Sequence, residues 1–312
     1  MRTQTRNRLR WAQLPPDVRS AVEEILGDRV VEAVSQPGGY SPGTADRVRT
    51  ANGRRAFVKA ASPAQNPDTP DMHRAEARIT ARLPEYAPTP RLLGCHDDGH
   101  WVALVLTDVD GRHPVTPWRT DELDAVLDAL HRMATALTPS PVTEVPVIAE
   151  RLADEFAGWR RIVDDPPPEM NPWARAHLDE LRSWADRGLA SLTGDTLCHV
   201  DLRADNLLVD RTGRVTVVDW PWAARGPAWL DTAMLLLDVR LQGGHDTEAL
   251  LRRLPLTAAA DPDAVTGLYA GLAGFFTDRA RLPPPPGIPT LREFQHAQAE
   301  ALLTWLAERA DT

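Results

Sequence analysis

The sequence predicts an α+β chain whose strands gather in the first third and whose helices fill the remainder. Two observations carry this. Short β-prone runs separated by turn residues recur up to Leu106, and apolar residues at helical spacing dominate from Trp118 onward. In order, Pro16 to Leu26 places Val18, Ala21, Val22 and Ile25 on one helical face. Strands follow at Val30–Val34, Arg47–Thr50 and the run ending at Ala60, and the Pro-, Asn- and Ser-rich stretch 61–69 reads as a loop. Asp71 to Leu83 is helical, with Met72, Ala75, Ile79 and Leu83 on one face that also turns Glu76 toward the preceding sheet. Arg91–Leu93 and Trp101–Leu106 complete the strands, and Thr107-Asp108-Val109-Asp110-Gly111 reads as a hinge. Beyond it, helices are expected at Glu122–Leu137, Ile148–Ile162, Trp173–Leu192, Trp229–Arg240, Thr247–Leu254, Asp263–Asp278 and Thr290–Arg309, with Pro283 to Pro286 as a rigid extended link. The expected division is 1–109 and 110–312.

Lys59 is the only lysine in the chain; the other 34 of its 35 cationic side chains are arginine. It lies in the short strand Phe57-Val58-Lys59-Ala60. Lysine is a compact point charge on a thin stem, whereas arginine is a wide planar fork. A position that keeps lysine in such a background suits a point charge in a narrow space, and gripping phosphates is a common use of one.

The second chemical signal is His199-Val200-Asp201-Leu202-Arg203-Ala204-Asp205-Asn206, with Asp219 thirteen residues after Asn206 at the end of the apolar run 215–218. A loop carrying Asp and, five residues later, Asn can aim a base at a hydroxyl while the amide oxygen binds a metal. A carboxylate leaving a neighbouring strand completes an Mg²⁺ site, because Mg²⁺ takes one or two protein carboxylates plus substrate phosphates. H-x-D-x-x-x-x-N followed by a strand-borne Asp is the arrangement of protein-kinase-like enzymes.

The segment Cys198 to Asp231 resembles the aminoglycoside phosphotransferase family, small-molecule kinases with a two-lobed protein-kinase-like fold. The resemblance implies a small, mostly antiparallel N-terminal lobe that binds nucleotide and a larger helical lobe that binds the acceptor. It further implies that Asp201 is the catalytic base, that Asn206 and Asp219 hold Mg²⁺, that Lys59 contacts the α/β-phosphates of ATP (GTP being an alternative) and that Glu76 is its ion-pair partner. Leu106, Asp108 and Val109 fall on the hinge whose backbone takes the adenine's hydrogen bonds in that family. Gly226-Pro227 and Asp231 match its helix start after the metal loop, with Asp231 as a brace. Acidic residues of the helical part hold the acceptor in that family; Asp154, Glu155, Asp231, Glu293 and Glu300 are the candidates here.

The sequence also departs from that pattern. Trp220-Pro221 follows Asp219 in place of Phe-Gly, and no Ala-Pro-Glu follows, which argues against a phosphorylation-controlled activation loop and a protein kinase. The segment Pro37-Gly38-Gly39-Tyr40-Ser41-Pro42-Gly43 lies where a phosphate-covering hairpin belongs without being G-x-G-x-x-G. Gly38, Gly39 and Gly43 would let backbone N–H groups approach phosphate oxygens; a plain hairpin turn is the alternative. Trp220 and Trp222 adjoin the metal loop and are candidate pocket walls, whereas most of the ten tryptophans suit core filling.

Composition narrows the class of function. Residues 1–109 carry 15 Lys+Arg against 13 Asp+Glu, and residues 110–312 carry 20 against 31. An acidic second part disfavours nucleic acid and attracts a cationic small molecule. No apolar run approaches membrane-spanning length, the arginine-rich N-terminus lacks the apolar core of a secretory signal, and Cys95 and Cys198 form no disulfide framework, so a cytoplasmic location is expected. Cys198 and His199 have no ligand-spaced partner that would make them a metal pair. The expected reaction is Mg²⁺-dependent phosphoryl transfer from ATP to a hydroxyl of a small molecule: an aminoglycoside or other antibiotic, a sugar, an amino alcohol or a nucleoside. A non-catalytic nucleotide-binding module is the reading from another class.

Overall fold

The computed structural model describes residues 8–36 and 42–311. In chain order its main elements are α1 (Pro16–Leu26), β1 (Val30–Ser35), β2 (Thr44–Thr50), β3 (Arg55–Ala61), α2 (Thr69–Thr80), β4 (Leu92–Asp97), β5 (Val102–Thr107) and α3 (Thr120–Ala136). Short helices α4 (Ile148–Arg151), α5 (Ala153–Phe156), α6 (Gly158–Asp164) and α7 (Pro172–Ala176) precede α8 (Leu178–Ser191). Then come β6 (Thr196–Cys198), β7 (Leu207–Val209), β8 (Val215–Val217), β9 (Ala224–Gly226), α9 (Leu230–Gln242), α10 (Thr247–Arg253), α11 (Pro255–Ala258), α12 (Pro262–Ala280) and α13 (Leu291–Ala310). The contacts divide the chain into two compact units. The first holds the described residues up to His113 with Asp205–Trp222 and Pro285–Ile288, and the second holds Pro114–Ala204, Ala223–Pro284 and the residues from Pro289 on.

The first unit is a five-stranded antiparallel sheet in the order β1-β2-β3-β5-β4. Alternation along β3 sends Ala56, Val58 and Ala60 to one face, where they pack with Val18, Val22 and Leu26 of α1 and with Trp11 and Leu14. Pro16 opens α1 at its first position, where a missing N–H costs nothing, and Gly27 closes it at φ 75°. The opposite face carries Val102 and Leu104 against Ala77 of α2, and Lys59 pairs in register with Leu104. The hairpin β7–β8 joins this unit through Arg112, which exchanges backbone hydrogen bonds with Val209, and through Val217, whose N–H donates to the Pro88 carbonyl at 2.6 Å.

Helix α2 departs from its expected form. It runs over Thr69–Thr80 instead of Asp71–Leu83, and Met72 and Ala75 are only half-buried. The buried side is His73, Glu76, Ala77, Ile79 and Thr80, so the face turned to the sheet is largely polar. The expected face holds at Glu76, Ile79 and Leu83, which are buried, and is rotated toward His73 and Thr80 at the expense of Met72 and Ala75, because a buried ammonium on β3 needs polar partners.

The second unit is mainly helical, built around α12 against α8, α13 and α6. At the α8–α12 crossing a Cβ on Gly188 would lie 2.3 Å from the Gly267 carbonyl carbon, so the two backbones meet where neither residue can carry a side chain. The helix expected over Ile148–Ile162 is three pieces, turning at Leu152 and Ala157. These turns let the Phe156 ring lie against Gly271 and Trp159 against Gly274, with Trp159 Nε1 donating to the Ala270 carbonyl at 2.7 Å. The helix expected over Trp173–Leu192 breaks at His177, whose ring stacks on Trp173 and whose Nδ1 lies 2.8 Å from the Trp173 carbonyl. In both places tertiary packing overrides a continuous helical pattern. No helix among the described residues is long and apolar enough to cross a membrane.

Candidate active site

A cavity of about 310 Å³ opens in the first unit, beneath β2 and β3. Its apolar walls include Phe57, Leu106, Leu208, Val218 and Trp220, and Lys59, Glu76, Asn206 and Asp219 also line it. An apolar slot with a few convergent polar groups at one end suits a flat heteroaromatic ligand bearing an anionic tail.

Alternation on β3 aims Lys59 at the α2 face. Its Nζ lies 2.8 Å from Glu76 Oε2 and 2.9 Å from Asp219 Oδ1. Burial alone would lower the lysine, yet the Asp219 and Glu76 carboxylates outweigh it and raise its pKa, so the ammonium is permanently charged. Burial also pushes the Glu76 carboxyl up, against the pull of Lys59. Asp219 follows β8 at φ 71°, in the left-handed region that non-glycine residues rarely occupy. The Val218 N–H donates to the Asn206 carbonyl at 3.0 Å, tying the two ends of the β7–β8 hairpin. Asn206 is 3 % exposed and Asp219 faces the same cavity.

An amide oxygen and one carboxylate form a donor set that fits Mg²⁺, which prefers few protein oxygens and leaves the rest of its sphere to phosphates and water. Among the described residues no group of three or more His, Cys, Asp or Glu converges.

Leu106, Asp108 and Val109 all line the cavity. The Asp108 carboxylate is turned to two arginines, Arg47 Nε at 3.0 Å and Arg55 Nη2 at 2.6 Å. Arg47 Nη2 also donates to the Val109 carbonyl, which accepts from the Gly111 N–H at 2.9 Å as well. Val109's carbonyl therefore has two protein donors, and Arg47 on β2 staples the hinge. Gly43, at φ 116°, approaches the Ala60 carbonyl so closely that a Cβ would sit 2.5 Å from that oxygen. Gly38 and Gly39 lie outside the described residues. Trp220 is buried, with its indole N–H donating to the Val217 carbonyl at 3.0 Å, and forms a wall; Trp222, 38 % exposed, is not among the lining residues.

His73, one helical turn before Glu76, also lines the cavity and was not singled out by any sequence pattern. It is buried, its Nδ1 has no partner, and burial together with the Lys59 charge lowers its pKa to about 4. A histidine held neutral in the fold and titrating near 6.5 when unfolded binds fewer protons folded than unfolded between those values. Its stabilising contribution is therefore complete above pH 6.5 and is lost as pH falls toward 4, by about 3 kcal/mol. The variant His73→Met should flatten this part of the stability profile, read by denaturant unfolding at pH 7 and pH 4. An equally steep profile in the variant would remove His73 as the cause.

Asp201 belongs to the second unit, in the loop between β6 and the 3-10 turn Ala204–Asn206. Its Oδ1 is 2.5 Å from Arg203 Nη1, and the Arg203 guanidinium lies 5.8 Å from the centroid of the Phe294 ring. Val200 takes φ 74°. Asp231 on α9 accepts from the backbone N–H of His199 at 2.8 Å and of Val200 at 2.9 Å, and burial raises its carboxyl pKa against those donors. Each Asp231 oxygen thus accepts an N–H of the loop, the geometry of a brace.

The other acidic candidates are scattered. Asp154 pairs with Arg161 at 3.2 Å and Arg279 at 3.6 Å, and Glu300 accepts from Asn171 Nδ2 at 2.8 Å. Glu293 is exposed, and Glu155 is half-buried with a buried Oε2 that has no partner. Cys95 and Cys198 are both free thiols, and burial pushes the Cys198 thiol well up.

Comparison with known proteins places this geometry. The sequence model of a family described as phosphotransferase enzyme family, APH, matches residues 37–268. Comparison with curated proteins gave no match. Among solved structures, the choline kinase LicA from Streptococcus pneumoniae superposes with a TM-score of 0.63 at 14% identity, covering 94% of this chain and 98% of that one. A thermostable mutant of aminoglycoside phosphotransferase APH(4)-Ia, in a ternary complex with ADP and hygromycin B, gives 0.59 at 15% identity over 94% and 97% of the two chains. The aminoglycoside phosphotransferase from Alicyclobacillus acidocaldarius gives 0.55 at 17% identity over 96% and 97%. At these identities the likeness is one of fold: an α+β, protein-kinase-like phosphotransferase architecture.

Proposed function

Since the chain belongs to the phosphotransferase enzyme family, we propose that it transfers the γ-phosphoryl group of ATP, as its Mg²⁺ complex, to a hydroxyl of a small molecule. The single observation that carries this reading is the Lys59 ammonium set between Glu76 and Asp219 at one end of an apolar cavity. Solved relatives of the same fold bind ADP with hygromycin B, AMP-PNP with hygromycin B, or AMP, which supports a nucleotide in the cavity and a small acceptor.

In this reading residues 1–109, joined by the cavity-lining stretch 205–222, form the nucleotide lobe, and the rest of residues 110–312 form the catalytic and acceptor lobe. Phe57, Leu106 and Val218 enclose the base, with the hinge backbone near Leu106 and Val109 as its hydrogen-bonding edge. Lys59 holds the α/β-phosphates and Glu76 keeps the ammonium from swinging away. Gly43 lets the backbone approach the phosphates. Asn206 and Asp219 would hold Mg²⁺, which would supply charge neutralisation to the phosphates. Asp201 accepts the proton of the acceptor hydroxyl as its oxygen bonds to the γ-phosphorus; the bond from that phosphorus to the bridging oxygen breaks, and ADP departs with the electron pair. Arg203, beside Asp201, aims that carboxylate. The acidic residues between 110 and 312 favour a cationic acceptor, an aminoglycoside or an amino alcohol ahead of a neutral sugar.

Purified protein with Mg·ATP should release ADP faster with one class within a panel of hydroxyl-bearing antibiotics, amino alcohols, sugars and nucleosides. Tight nucleotide binding with no stimulated release by any of them would favour a binding module. Absence of nucleotide binding would overturn the reading altogether.

The Arg47 staple adds a narrower expectation. Arg47→Ala takes one of two partners from Asp108 and from the Val109 carbonyl, leaving Arg55 and the Gly111 N–H, so the KM for ATP should rise about tenfold while kcat with a saturating acceptor changes little. Steady-state kinetics check this, and a fall confined to kcat would count against it.

A further inference from the structure

Helix α9 is apolar along most of its length, yet it buries a second carboxylate, Asp238, seven residues after Asp231. Seven residues are two helical turns, so the two side chains share a face about 10 Å apart along the axis. Asp231 takes the N–H groups of His199 and Val200. Asp238 Oδ2 takes the N–H of Ala204 at 3.2 Å. The same oxygen accepts from the indole Nε1 of Trp118 at 3.1 Å, and Trp118 is itself anchored through its carbonyl, 2.8 Å from His245 Nε2. Trp118 is 4 % exposed. A carboxylate buried this deeply is costly unless donors surround it, and a loop amide and a fixed indole are among them here.

We propose that Asp238, seated by Trp118, is a positioning residue for phosphoryl transfer: it pins the far end of the six-residue loop whose near end Asp231 holds. Asp201 lies between the two pins. The inference rests on the reading of Asp201 as the base. A loop that starts with Val200 in a left-handed conformation has a stored tendency to relax, and one pin leaves its other end free to rotate. Two pins on one rigid helix fix both the position and the direction of the carboxylate between them, which is what a near-attack geometry requires.

The test compares Asp238→Ala and Trp118→Phe with Leu236→Val, a packing variant of the same helix. Trp118→Phe removes the indole donor and keeps most of the ring's volume. Amide hydrogen exchange of the segment 199–206 is followed along with slow hydrolysis of Mg·ATP, water serving as acceptor, and ATP affinity. Expected are exchange about tenfold faster in that segment alone, turnover about tenfold lower and ATP affinity within twofold of the parent for Asp238→Ala. Trp118→Phe should show the same pattern more weakly, and the double variant should be no worse than Asp238→Ala. Leu236→Val should leave exchange in the segment unchanged. Unaltered exchange in 199–206, a rise spread over the whole second unit, or an equal loss of turnover in Leu236→Val would each overturn the proposal. Asp201→Asn run in parallel separates the two readings. Full turnover in that variant removes the base while the exchange data still judge the pin; a dead Asp201→Asn beside a fully active Asp238→Ala removes the pin alone.

Discussion

Asp201→Asn should lower acceptor-stimulated ATP turnover by roughly 10²- to 10⁴-fold, the usual worth of a positioned general base, and leave ATP affinity almost unchanged. The separation follows from where the groups sit. The cavity is lined entirely by residues of the first unit, and Asp201 is not among them. Asparagine keeps the shape of the side chain and loses only the charge and basicity. It cannot accept the hydroxyl proton, and it no longer neutralises Arg203 at 2.5 Å. The loop backbone should stay in place because Asp231 holds it through the amides of His199 and Val200, not through the Asp201 side chain. Kinetics with a saturating acceptor, paired with a nucleotide titration, decide the matter. A fully active Asp201→Asn would end its assignment as base, and a large loss of ATP affinity would move its role to the nucleotide.

Lys59→Met should be costly to the fold as well as to the chemistry. The ammonium sits between two carboxylates, and the Glu76 side chain is 3 % exposed. Removing the cation strands a buried carboxylate, a change that typically costs about 3–5 kcal/mol. Protonation of Glu76, already pushed up by burial, limits the damage and makes it smaller at acidic pH. The double variant Lys59→Met with Glu76→Leu should recover most of that stability, since an apolar pair of similar volume carries no desolvation penalty, and it should still fail to bind ATP tightly. Denaturant midpoints separate the two effects. Equal stability of the parent and Lys59→Met would show the pair to be well solvated; tight ATP binding by the double variant would remove Lys59 from the phosphate site. Lys59→Arg tests the same position from another side, because a planar fork in place of a point charge must displace Glu76 or Asp219.

Part of this site's lining was legible in the sequence. Lys59 stood out as a lone lysine, and Asp201, Asn206 and Asp219 stood out because their spacing matches what a base and a metal need on one loop and the strand after it. What stayed hidden were residues whose importance is purely spatial. Arg47 is one of 34 arginines, and nothing near it in sequence indicates that it reaches residues 108 to 111. His73 lies at the margin of the apolar face expected for its helix, beside Glu76 and Ile79. Asp238 could have been noticed as a lone acid in the run Leu235-Leu236-Leu237-Asp238-Val239, but its partners Ala204 and Trp118 lie 34 and 120 residues away.

By itself the sequence determined the class of the fold, the order of strands and helices, and the residue types able to do phosphoryl chemistry. These are local properties, written in periodicity, turn residues and short spacings. Only the tertiary structure decided which face of α2 is buried, where the helices over 148–162 and 173–192 break, and which of the acidic candidates is consumed as a brace. The reason is the same in each case. A buried charge must find a partner and a backbone must find room, and both requirements are met by residues distant in the chain, so no local pattern can encode them.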